Sequence, residues 1–69
     1  MMDHFTALRH QDFNVIAIEL GMQGAPVLHL VEFMEDDCFL ATDSGKNKRY
    51  VVGRLDNGDP FIRSVANHE

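Results

Sequence analysis

The chain is short of cations, cysteines and long apolar runs, and each shortage excludes a class of protein. Its 69 residues carry six Lys and Arg against eleven Asp and Glu, a formal charge of −5. A charge of that sign repels polyanions, so nucleic-acid binding requires the few cations to be gathered in one place. The one cysteine, Cys38, excludes an intrachain disulfide, and a reducing cytoplasm is the expected setting. No segment is apolar for long enough to span a membrane, and the first twelve residues do not read as a signal peptide. Gly45-Lys46 and Gly53 lack the strand–loop–helix spacing of a phosphate-binding loop. His4, His10, His29 and His68 have no Cys or His neighbour at ligand spacing, so neither a metal nor another cofactor is expected.

What is present is enough apolar residue, 45%, for one small core. Residues 1–65 are expected to form one domain, and 66–69 a frayed tail. Asp3 is a candidate N-cap for a first helix over 4–11 with Phe5 and Leu8 on its apolar side. Asp12 or Asn14 caps a second helix, whose Ile16, Ala17 and Leu20 recur at helical spacing before Gly21 stops it. Val27, Leu30, Val31 and Met34 repeat the helical period and predict a third helix over 26–36, with Pro26 in its first turn. The period then changes to that of strands, with 39–42 and 48–55 flanking a polar loop over 43–47. A turn over 56–59 contains Asn57-Gly58, and 60–65 adds an edge strand that proline can open.

Three helices followed by a β-hairpin, an α+β order, resembles the small winged helix-turn-helix family. Among its members the chain is similar to the PapI/FaeA-type transcriptional regulators. The resemblance covers about residues 5–55. It rests on Arg9-His10-Gln11, on Ile16-Ala17 with Leu20, on Val27, Val31 and Met34, and on a wing between Thr42 and Arg49-Tyr50. It implies a third helix in the major groove, where Gln23 and His29 would read bases, and a wing whose Lys46, Lys48, Arg49 and Arg54 would meet phosphates. The third helix carries no Lys or Arg, a departure from the family pattern.

A second expectation comes from apolar residues left over once the core is filled. With Ile16, Ala17 and Leu20 inward, Val15 and Ile18 point outward, and Leu28 and Phe33 flank the inward stripe of the next segment. Ile18, Leu28 and Phe33 then form the anchor of a protein-binding or self-association surface, and Glu32, Glu35 and Asp36 steer it to a basic partner. The carboxylates over 32–37 read as a solvated helix end, so no enzyme is expected. Two functions stay open: a double-stranded DNA-binding regulator acting with a partner or as a dimer, and an acidic module that binds a protein and not DNA.

Overall fold

The computed structural model describes residues 3–45 and 47–65. Lys46 and the 66–69 tail, with His68, lie outside the described residues. One helix, α1 (His4–Met22), is followed by four strands, β1 (Leu28–Phe33), β2 (Phe39–Asp43), β3 (Arg49–Arg54) and β4 (Pro60–Val65). The strands pair in chain order as an antiparallel meander, a small α+β architecture.

This overturns the winged helix-turn-helix expectation, which needs three helices. The two helices expected before Gly21 are one. Asp3 caps it, its carboxylate accepting the Thr6 N–H at 2.7 Å. Asp12 and Asn14 are solvent-facing positions inside it, and nothing between Gln11 and Phe13 breaks the backbone. Gly21 lies within its last turn, and the stop comes at Gly24, where φ is +102°. There the Ala25 N–H reaches the Leu20 carbonyl and the Gly24 N–H reaches that of Gly21, a Schellman motif.

The expected third helix is strand β1 and the turn after it. Of the expected inward stripe only Leu30 packs against the core, while Val27, Val31 and Met34 are exposed apolar residues whose spacing imitates a helical repeat. A β-bulge adds to the disguise: pairing with β2 shifts register between Leu30 and Glu32, so Leu28 and Leu30 face α1 at the strand period and the extra residue lets Phe33 face it too. The carboxylates expected at a helix end instead form a hairpin turn. Asp36 and Asp37 both have positive φ, 60° and 56°, and the Cys38 N–H reaches the Glu35 carbonyl, as in a type I′ turn. The predicted wing is the β2–β3 hairpin, placed at the centre of the sheet. The Asn57-Gly58 turn forms as expected, with Gly58 at φ +92°.

The core lies between α1 and one sheet face. Phe13, Ile16 and Leu20 descend from the helix onto Leu28, Phe39, Ala41 and Val52. Phe13 and Phe33 both meet Phe39 edge-on, with centroids 5.6 and 6.0 Å away. Arg9 closes one end. Its guanidinium lies 4.9 and 5.0 Å from the Phe33 and Phe39 ring centres and donates to the Met34 and Cys38 carbonyls.

The left-handed pair Asp36-Asp37 is strained, because a side chain disfavours positive φ. The double substitution Asp36→Asn with Asp37→Gly supplies the Asn-Gly dipeptide that this turn type prefers, and is expected to stabilise the fold by about 1 kcal/mol. Thermal unfolding would then move up by roughly 4–8 °C for a domain of this size. An unchanged midpoint would place the strain elsewhere.

Candidate interaction surfaces

Alternation along the strands divides the sheet into a covered and an open face. Phe33, Phe39, Val52 and Ile62 form one cross-strand row on the covered side, and Leu30, Ala41, Tyr50 and Ser64 form the next. On the open side the rows are Glu32–Leu40–Val51–Arg63 and His29–Thr42–Arg49–Val65. A third open row is shorter. The Phe61 ring lies over Gly53, where an added Cβ would come within 3.0 Å of it and 3.2 Å of the Cys38 sulfur. A shallow groove joins His29, Val31, Thr42 and Arg49, and another joins Glu32, Met34, Val51 and Arg63.

The outer side of α1 is a second uncovered surface. His4, Leu8, Gln11, Val15, Ile18 and Met22 follow one another at alternating steps of four and three residues. That is the seam of a helix that packs against another helix or into a groove. Leu8 is 45% exposed, Val15 41%, Ile18 64% and Met22 83%. One flank of the seam carries Phe5, Asp12 and Glu19, and the other carries Ala7, Asn14 and Gly21. The helix is therefore apolar on both sides, one turned to the sheet and one to water.

The residues expected to touch DNA do not converge. Gln23 caps the C-terminus of α1, and His29 and Arg49 share an open-face row two strands apart. Lys48 precedes β3 and is exposed. Arg54 is on the covered side, bound to Glu19 at 2.8 Å and to the Gly58 carbonyl at 2.9 Å. The expected protein anchor is also divided. Ile18 belongs to the outer seam of α1, whereas Leu28 is 9% exposed in the core. Phe33 packs against Phe39, Arg9 and the His10 ring, 5.2 Å away. The seam's regular repeat was present in the sequence but was hidden by dividing the helix at residue 12. The open-face rows needed the strand register.

Charge is unevenly spread. Asp12, Asp36, Asp37 and Asp56 line one groove with Arg54. Among the described residues the side chains of Lys48, Arg49 and Arg63 make no hydrogen bond or ion pair, and Arg63 rests 6.0 Å from the Phe61 ring centre. Among the described residues no three or more His, Cys, Asp and Glu side chains come together in a way that could hold a metal ion. No described helix is long and apolar enough to cross a membrane. No protein-family model, curated protein or solved structure matches the chain.

Two carboxyls are held below their ordinary range. Hydrogen bonds from Thr6, chiefly its backbone N–H, lower Asp3, and the Arg54 hydrogen bond lowers Glu19, while Glu19 raises Arg54. Groups lowered in the folded state add stability that is complete above their unfolded pKa and is lost as pH falls through the folded value. Melting temperature should therefore fall on acidification below the ordinary carboxylate range. Glu19→Gln should make that acid limb shallower, and an unchanged limb would show that the Glu19–Arg54 pair does not favour the folded state.

Proposed function

We propose that the chain is a small protein-interaction module that engages its partner through the outer side of α1. One observation carries this: the solvent side of the helix repeats Leu8, Val15, Ile18 and Met22 at seam spacing, where a helix with no partner presents polar residues. Asp12 and Glu19 border the seam, so the fitting partner offers an apolar groove or helix edge flanked by Lys or Arg. The role is binding and not catalysis, and both lowered carboxyls are explained by a helix cap and an exposed ion pair. Cys38 is a free thiol, which suits the cytoplasm as the place of action.

A second function is favoured by one specific placement. His29 and Arg49 lie in one open-face row, with Lys48 beside Arg49, and these groups offer contacts to a phosphate backbone. Duplex DNA would then bind through the sheet and not through a helix. The net charge of −5 opposes it.

Immobilised chain and its Ile18→Glu, Met22→Glu variant separate the two. Both substitutions are at exposed helical sites, so stability should change by no more than about 0.5 kcal/mol. The native chain should retain a partner from its source extract that the variant loses, and neither should bind mixed-sequence duplex DNA at low salt. Equal capture by both forms would remove the α1 surface. Salt-sensitive DNA binding abolished by Arg49→Glu would establish the second function instead.

A further inference from the structure

The open sheet face is complementary to itself. In the row Glu32–Leu40–Val51–Arg63 an acid and a base stand on the two edge strands with two apolar residues between them. They are about 14 Å apart at roughly 4.8 Å per strand. Neither side chain has a hydrogen bond or ion pair among the described residues. Consider a two-fold axis parallel to the strands, lying between two facing sheets and passing between β2 and β3. It sets β1 of one copy over β4 of the other and superposes each row on its own reverse. Glu32 then meets Arg63 of the second copy, twice, and Leu40 meets Val51, twice.

The neighbouring rows fit the same operation. His29 falls over Val65 and Thr42 over Arg49, so no like charges are directly opposed, and the two Arg49 residues, one strand apart across the axis, stand at the end of the face. At the other end Met34 falls over Phe61, a sulfur–aromatic contact, and Cys38 falls over Gly53 with its Phe61 cover. A face acidic or basic throughout would repel its own copy, and this one does neither. From this reciprocal placement we infer that a second copy of this chain occupies the open face, giving a two-fold dimer with two sheets inside and two helices outside. Aligned packing of twisted sheets is a common arrangement. The face measures roughly 19 by 20 Å, about 400 Å² per copy as a flat area, about half of the standard area per partner and in the range of weak, transient association. The dimer is therefore weak. It leaves both α1 seams free and so makes the module bivalent.

Sedimentation of the full chain from micromolar to sub-millimolar concentration tests this. A monomer–dimer equilibrium is expected. Glu32→Arg alone or Arg63→Glu alone should weaken it about tenfold or more, by setting like charges together. The double exchange should bring it back to near the native value. Ile18→Glu should leave the dimer intact, so loss of the α1 surface and loss of the dimer can be told apart. A chain that stays monomeric, a dimer indifferent to both single changes, or a double exchange no better than the singles would each overturn the inference.

Discussion

One helix can cover one face of a four-stranded sheet, and the rest of this structure follows from that limit. Helix α1 is about 28 Å long at 1.5 Å per residue and roughly 10 Å across, against a sheet roughly 19 Å wide. It buries Phe13, Ile16 and Leu20 against Phe39, Ala41 and Val52, with the small Ala41 beneath it, fully buried. The sheet's other side stays open, because the described chain has no second helix to cover it. The helix's own far side stays open for the same reason.

Neither open surface has the composition of a fully solvated one. Leu8, Val15, Ile18 and Met22 on the helix, and Val31, Leu40, Val51 and Phe61 on the sheet, are apolar at regular positions. Charges at their borders give each a different preference. In the proposed readings, the acid that flanks the helix seam favours basic neighbours, whereas the sheet's acid–base pair favours a second copy. Two of the described cations are used in folding: Arg9 seals the aromatic end of the core, and Arg54 ties β3 to α1.

The sequence made the second half of the fold legible and misled on the first. Strands β2, β3 and β4 were readable because Asn57-Gly58 and the loop before Arg49 mark their ends and no bulge disturbs their alternation. Strand β1 was not, because exposed apolar Val27, Val31 and Met34 stand with Leu30 at spacings that imitate a helix, and a bulge breaks the period of two. Asp12 and Asn14 resembled caps although they are only solvent-facing positions in a continuous helix. Gly21 resembled a stop although Gly24 supplies the left-handed residue. The outward direction of Val15 and Ile18 survived these errors, since it depends on helical spacing and not on where the helix begins. Leu28 and Phe33 did not, since they lie on a strand whose bulge puts both on the covered side.

Residues 28–33 form a strand, and α1 is the helix that covers the sheet. Nuclear Overhauser contacts in the isotope-labelled chain measure this directly. Backbone contacts are expected between the Leu30 and Ala41 positions and between Phe33 and Phe39, with extended couplings throughout 28–33. Contacts from each residue to the third residue onward across 28–34 would mark a second helix. They would contradict the single-helix fold and both open surfaces with it.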